Sequence, residues 1–554
     1  MILRNFSRRL GHQMGANRTA TRVHRDSKKA NRALKRVETS GVHDHGRLAC
    51  EDDLFKAGLL TRTRDAVPVL AFQNQPIWDS TDWPIHITAP PGSMKGMALL
   101  FPMMASWPHS LFAIDVGCEA IRALTPMLLK RGTRVISIAP SGKHGFPAMG
   151  WDLLRPFVEA VQENREDRAL GLARRIANII LPHLPGDRNE WIRLGGVELI
   201  IMCLFHLADN DPEECTLSNL WILLTTAPKK VLEMAGDNAR RPIVLRRALK
   251  FVNEYNVEAH KQLFWKFETA ADALNLLEPE SVFASITSRD DFRPSEAKSG
   301  KQPVAIFLAL TGAEMEAAGP IISIMISLLL EELAEAEGDR PVLCVLDELA
   351  QLPRTETVMK TVRVYRKRRM KCVTVAQSRK TLDQKWGEGA ASELEANAGI
   401  NVWMDPEHQV AGELERKSGT KTALGHGVQT GERASNALPE HQVSNLPFAV
   451  VSNMPADQAI LEVRGLPGLI VADRTPWWNI SPLNVEISDA YRDDHFQFDP
   501  GLLMDQSEAL AMFGLSPEFT RQDVYDRAAL LQGRFSADLI ARATDLLIQS
   551  TQQR

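Results

Sequence analysis

The stretch VLCVLDELAQL (342–352) limits the fold of this chain more than any other. Val342, Leu343, Cys344, Val345 and Leu346 are apolar without alternation, and they run straight into Asp347 and Glu348. Such a run reads as a strand buried on both faces, the pattern of a central parallel sheet. Two adjacent carboxylates at its end repel each other unless a cation or a reaction uses them. The fold must therefore supply two apolar layers and a partner for the acids.

Comparable runs recur. WPIHITAP (83–90), SLFAID (110–115), TRVISIAP (133–140), QPVAIFLAL (302–310) and CVTVAQ (372–377) read as strands, with shorter ones expected at INVWM (400–404) and AILEVRG (459–465). KGMALLFPMMAS reads as a helix that Pro102 kinks or ends early. EAIRALTPMLLKRG (119–132) reads as a helix stopped by Gly132. Alternation at this spacing predicts a parallel sheet with right-handed crossovers. From about 150 to 295 helical periodicity replaces strand signals, which predicts an all-α insertion. The polar, Gly-rich stretch 417–437 reads as a long loop, and 485–554 as a helical, charged tail.

At 554 residues the chain is too long for one ordinary core. Its 44% apolar and 24% charged residues exclude disorder throughout. A net charge of −4 means that any nucleic-acid contact must come from a local patch. The first forty residues hold eleven Lys and Arg against two acids. This basic arm reads either as a solvated tail or as an electrostatic contact with nucleic acid or an anionic membrane surface. The six cysteines form no CxxC pair and read as reduced thiols of a cytosolic protein. No apolar run approaches the roughly 18 residues of a membrane span, and the N-terminus lacks the apolar core of a secretory signal.

Strand-end carboxylates paired with a glycine-lysine turn point to nucleotide hydrolysis. In that chemistry the first acid holds Mg²⁺ and the second orients or deprotonates water. The candidate turn is APPGSMKGM (89–97), between a strand and a helix, where backbone amides can wrap phosphate and a lysine can neutralise it. The match to a phosphate loop is incomplete. Ala89 stands where the first glycine belongs, Met94 where the glycine before the lysine belongs, and Gly96 replaces the hydroxyl that binds Mg²⁺.

Several colinear segments resemble the type IV coupling protein family, the TraG/TraD-like ATPases of conjugation and type IV secretion. They are HGRLACEDDLFKAGLL (45–60), the 89–121 stretch, the segment from Leu346 to Trp403, and the closing strands up to Trp478, so the resemblance covers about residues 45–480. It implies a RecA-like α/β P-loop NTPase fold with a parallel-rich central sheet, an all-α inserted domain and a helical C-terminal tail. The expected boundaries are a basic arm (1–45), a nucleotide-binding domain in two parts (46–149 and 296–484), an all-α domain (150–295) and a helical module (485–554).

The resemblance also implies ATP and Mg²⁺ as cofactors. Pro91, Gly92, Ser93, Met94, Lys95 and Gly96 would bind nucleotide, with Lys95 as the phosphate-binding lysine. Asp347 would be the Mg²⁺ carboxylate, Glu348 the catalytic carboxylate, and Gln377 the γ-phosphate sensor. Arg366 would reach a neighbouring subunit's nucleotide. Read from the residues alone, a polar strand end is the lesser alternative for Gln377. Arg366 is equally a cation favoured by a helix C-terminus or a DNA contact, and it sits in YRKRRMK (365–371) among several basic neighbours.

By the same resemblance the partners are DNA or a secreted protein substrate, channel components of type IV secretion, and five further copies in a homo-hexamer. The location is the cytoplasm, with peripheral contact at the inner membrane face.

Three features depart from the family pattern: the degraded phosphate loop, the Asp115-Val116-Gly117-Cys118-Glu119 segment that lacks the usual lysine, and the lack of N-terminal membrane helices. They leave two readings, a coupling ATPase with weakened nucleotide affinity or an inactive paralogue kept as a docking subunit. A DNA-pumping ATPase outside secretion is a more remote alternative. Residues 509–550 have the cadence of a J-domain-like helical hairpin without its His-Pro-Asp triad, and read as an amphipathic module for a partner protein.

Overall fold

The apolar runs pair with one another. In the computed structural model, which describes residues 47–183, 189–256, 260–424, 440–504, 506–532 and 537–552, they build one eleven-stranded sheet. The basic arm expected over 1–45 lies outside the described residues. The strands are β1 (Val67–Phe72), β2 (Gln75–Asp79), β3 (Ile85–Thr88), β4 (Ser110–Val116), β5 (Arg134–Ile138), β6 (Val304–Leu310), β7 (Val342–Leu346), β8 (Met370–Ala376), β9 (Ile400–Trp403), β10 (Thr420–Leu424), β11 (Glu440–Ser444), β12 (Gln458–Val463) and β13 (Ile470–Asp473). Their order across the sheet is β2-β1-β13-β12-β9-β3-β8-β7-β4-β6-β5, while β10 and β11 form a separate ribbon.

The stretch from β9 to β5 is parallel throughout. β7 shows why its sequence does not alternate. Val342, Cys344 and Leu346 join the apolar cluster on one face of the sheet, and Leu343 and Val345 join the cluster on the other. Burying such a run contributes on the order of 10 kcal/mol. That outweighs the roughly 4 kcal/mol of repulsion between two like charges 4 Å apart near a protein surface, so the strand can carry an acid pair at its end.

One face is covered by the helices between β5 and β6, from Arg155–Gln162 to Glu296–Ser299, and by a helix that follows β6. Their core is continuous with the sheet: Phe157, Phe205 and Phe251 belong to the same cluster as Phe112 and Ile306. The opposite face carries α1 (Phe101–Ser106) and α2 (Glu119–Lys130), packed with Trp477 and Tyr491 of the returning chain.

Within the helical layer, α3 (Glu190–Asn210) is 21 residues long and apolar enough, by length and composition, to cross a membrane. It is longer than its continuous apolar run LIIMCLFHLA (199–208), because Trp191, Ile192 and Leu194 extend the helix beyond it. Of its most apolar window, 67% is buried by neighbouring helices. The helix after β6, α4 (Gly319–Glu335), is likewise an inner helix. All six cysteines are free, and all but Cys50 are buried. At the C-terminal end, α5 (Gln506–Phe513), α6 (Arg521–Leu531) and α7 (Ala537–Gln552) pack around their own small cluster that includes Phe513, Val524 and Leu547.

The central sheet is parallel-rich as expected, and β12, β13, β1 and β2 extend it in antiparallel fashion. β1 and β2 escaped the sequence reading because Pro68 and Pro76 interrupt them; they form an edge hairpin, where missing N–H groups are tolerated. The stretch read as a loop over 417–437 includes β10, paired with β11 from Thr420↔Ser444 to Leu424↔Glu440; the remainder of that stretch, 425–437, lies outside the described residues.

Candidate active site

The chain leaves β3 at the carboxyl edge of the sheet and turns through Pro91, Gly92, Ser93, Met94 and Lys95. Gly92 has φ +78°, a left-handed value that glycine adopts freely. Met94 has φ +60°, where a Cβ is strained. A π-helical turn, Gly96–Leu100, then leads into α1, with the Phe101 N–H donating to the Gly96 carbonyl. Pro102 has no N–H to give to the turn before it, where the helix departs from α geometry, but it does not end the helix as expected: it stands in the first turn of α1, which runs on to Ser106. The loop and the first helical turn leave backbone N–H groups without intrahelical acceptors, the arrangement that suits an anion.

The opening problem of two adjacent acids has a local answer. Lys95 Nζ donates to Asp347 Oδ1 at 2.8 Å and also to Glu348 Oε1. The loop strand and the acid strand are not neighbours: β8 lies between β3 and β7. The lysine therefore spans two strand spacings, about 9–10 Å. β8 supplies the residue in the middle. Gln377, which follows it, donates from Nε2 to Glu348 Oε2 at 2.6 Å, and Gln351 donates to the same oxygen at 3.1 Å. Glu348 itself has φ +56°, a strained backbone of the kind found where a side chain must be aimed.

Burial alone would lower the Lys95 pKa, but Asp347 and Glu348 outweigh it and the ammonium is held charged. Asp347 shares that one cation with Glu348, so burial dominates and its pKa is raised. At the end of β4, Asp115 accepts the N–H groups of Glu119, Ala120 and Ile121 at 3.0, 3.1 and 2.8 Å, capping α2. Burial nevertheless pushes its carboxyl up to about 6. Burial also raises Glu119 beside it.

These groups line a cleft of about 370 Å³ between the loop, the ends of β4 and β7, and Phe101. Ser93 Oγ is buried there without a hydrogen-bond partner among the described residues. An unpartnered buried hydroxyl is costly, and a phosphate oxygen would satisfy it, so the loop fits a phosphate ligand. No group of three or more His, Cys, Asp or Glu placed to hold a metal occurs among the described residues. Mg²⁺ uses one or two carboxylates together with phosphate oxygens and water, and Asp347 fits that part.

Sequence reasoning missed Arg474. Its side chain is fully buried after β13, donates to the Ser93 carbonyl at 3.3 Å, and pairs with Asp405 at 3.0 and 2.8 Å. It pins the loop from the side away from the acids. The only signal was an arginine following the apolar LIVAD, and many surface arginines look the same.

Arg366 does not join the cleft. It lies in the turn Tyr365–Arg368 before β8, whereas Gln377 follows that strand. Seven strand residues, about 23 Å, separate the two. The Arg366 guanidinium instead lies 3.7 Å from the ring centroid of Trp83, just before β3.

A family model described as "Type IV secretory system Conjugative DNA transfer" matches residues 267–479. The chain is 24% identical over 441 residues to the conjugal transfer protein TraG of Escherichia coli, covering 72% of this chain and 67% of TraG. It is 24% identical over 395 residues to the type IV secretion system-coupling protein VirD4 of Bartonella quintana (strain Toulouse), covering 68% of this chain and 60% of VirD4. Among solved structures it is similar to the conjugative coupling protein TrwB in complex with sulphate, with TM-score 0.58, 16% identity, and coverage of 82% of this chain and 97% of that one. TrwB in complex with a non-hydrolysable ATP analogue matches with TM-score 0.59, 16% identity, and coverage of 79% and 95%. The fold is thus the RecA-like fold of TrwB.

Proposed function

We propose that this chain is a type IV coupling protein, a nucleotide-driven subunit that recruits DNA, or a secreted protein substrate, and delivers it to a type IV secretion channel. One observation carries the catalytic part. The loop lysine, both strand-end acids and Gln377 meet at one edge of the sheet, through Lys95–Asp347, Lys95–Glu348 and Gln377–Glu348 contacts.

In this reading, the 91–96 loop and Lys95 bind the phosphates of ATP. Lys95 exchanges its two carboxylate partners for phosphate oxygens, which leaves Asp347 free to hold Mg²⁺. Bound Mg²⁺ neutralises charge on the phosphate oxygens. Glu348, released from Lys95 but still held by Gln377 and Gln351, orients the attacking water and takes its proton. Gln377 sits where it can sense a terminal phosphate beside Glu348. The nucleotide-bound forms of TrwB support this assignment by likeness.

The working assembly is a homo-hexamer in which Arg366 completes a neighbour's site. The basic arm adds a salt-sensitive contact with DNA or with anionic lipid at the inner membrane face. Met94 favours a second reading, a docking subunit that hydrolyses nothing, because its strained backbone and its side chain both sit in the cleft.

Titration with a fluorescent ATP analogue and Mg²⁺ separates the two. The ATPase reading expects saturable binding that Lys95→Ala abolishes and Glu348→Gln preserves, with turnover lost in both. No binding at millimolar nucleotide leaves the docking subunit.

A further inference from the structure

Four neighbouring strands bring their amino-edge residues to one point. Trp83 leads into β3, Gly399 into β9 and Arg366 into β8, while Arg464 follows the antiparallel β12. A Cβ on Gly399 would lie 2.4 Å from the Trp83 Cβ, so the indole is packed directly on that backbone. The Arg464 N–H donates to the Gly399 carbonyl at 2.8 Å. Above this base the Arg366 guanidinium lies 3.7 Å from the indole centroid and that of Arg464 4.4 Å from it. Two planar guanidinium groups that near to one centroid cannot share a face without overlapping, so the indole is held between them.

Neither guanidinium has a carboxylate within ion-pair distance among the described residues, in contrast to Arg363 with Glu356 and Glu393 or Arg369 with Asp339. Two cations on one aromatic ring, with no acid between them, form a receptor that lacks its anion. The clamp also separates Arg366 from Lys367 and Arg368, which are exposed and touch no aromatic face.

We propose that Trp83 and Arg464 are positioning residues, which hold Arg366 at the amino edge of the sheet so that it meets the terminal phosphate bound by a neighbouring copy. This rests on the ATPase reading given above. A planar guanidinium stacked on an indole loses rotational freedom in advance while its N–H edges stay open. That is what a group stabilising charge across a subunit boundary requires.

The test is steady-state hydrolysis by the full chain, without DNA, at concentrations where it assembles. Trp83→Leu keeps the apolar bulk and removes the π face; Trp83→Phe restores a π face. Trp83→Leu is expected to lower kcat about tenfold, a fraction of the roughly 10³-fold expected for Arg366→Ala. KM should be unchanged, Trp83→Phe should recover to within about twofold, and the Trp83→Leu/Arg366→Ala pair should match Arg366→Ala alone. Arg464→Gln approaches the clamp from the other face of the indole, and a fall in kcat at constant KM is expected there even if the tryptophan variants fold poorly. Lys367→Ala serves as the unaffected control.

Losses that multiply in the double variant overturn the proposal, as does unchanged kcat in Trp83→Leu. Weakened single-stranded DNA binding with intact DNA-free turnover also overturns it and assigns the cluster to nucleic acid. Wild-type turnover that survives Trp83→Leu removes this inference alone, whereas a wild-type chain with no turnover removes the ATPase reading and this inference together.

Discussion

At the scale of single residues, position 94 decides how well the phosphate loop can work. Met94 combines a left-handed φ of +60° with a side chain that lines the cleft. The strain costs about 1–2 kcal/mol for a residue with a Cβ, while glycine would lose part of that gain to the greater freedom of the unfolded chain. Met94→Gly is therefore expected to raise stability by about 1 kcal/mol, read as a higher Tm. It should also tighten Mg²⁺-nucleotide binding about tenfold by letting phosphate approach the backbone. Met94→Ala separates the effects: it clears most of the side chain but keeps the strained φ, so binding should tighten without a gain in Tm. If neither variant binds nucleotide more tightly, the methionine is not what weakens the loop.

At the scale of elements, the acid strand was the most legible part of the chain, because burial on both faces leaves no room for polar residues in β7 and dictates its composition. Asp347, Glu348 and Gln377 were legible for the same reason, since they directly follow such strands, and Lys95 because it closes the glycine-containing turn after β3. Edge elements were not. β2 and β10 carry polar residues because one side of each is unpaired, β1 beside β2 is interrupted by Pro68, and nothing local marks them as strands. Arg474 and the Trp83 clamp depend on contacts between residues hundreds of positions apart, which no local pattern encodes.

Glu332 on α4 is a further case, an ordinary residue of LLLEELAE by sequence. It is half-buried beside Asp152, Glu159 and Arg293, accepts the Ser295 N–H at 3.3 Å, and burial pushes its carboxyl up to about 7. A pKa raised on folding means that the folded chain holds the proton more tightly. Its stabilising contribution is thus full below about 4.5 and is lost as pH rises through about 7. Glu332→Gln should leave stability little changed at pH 4 and raise it progressively above pH 5 relative to the parent, levelling off past pH 8 at no more than about 3 kcal/mol. Chemical denaturation across that range tests the sign; a benefit that shrinks with rising pH contradicts it.

At the scale of the whole molecule, the placement of Arg366 and the cleft at opposite edges of the sheet limits how both could serve one reaction. The cleft is at the carboxyl edge of β3, β8 and β7, and Arg366 is at the amino edge of β8, about 23 Å away along the strand. No side-chain movement within one copy closes that gap, so any role of Arg366 in hydrolysis is a role in another copy's site. Head-to-tail contact between unlike surfaces generates a closed ring when the rotation permits. Mixing two inactive chains makes this testable. An Arg366→Ala chain keeps an intact cleft, and a Lys95→Ala chain keeps an intact arginine. Mixed at equal amounts and allowed to exchange, they should regain activity at roughly a quarter of the interfaces, those where an intact cleft faces an intact arginine. Neither parent alone should exceed background. Recovery that rises with total concentration and vanishes on dilution would reflect assembly. Mixtures that stay at background while gel filtration shows mixed oligomers would mean that the arginine does not serve a neighbour's cleft, and that the two edges of the sheet work independently.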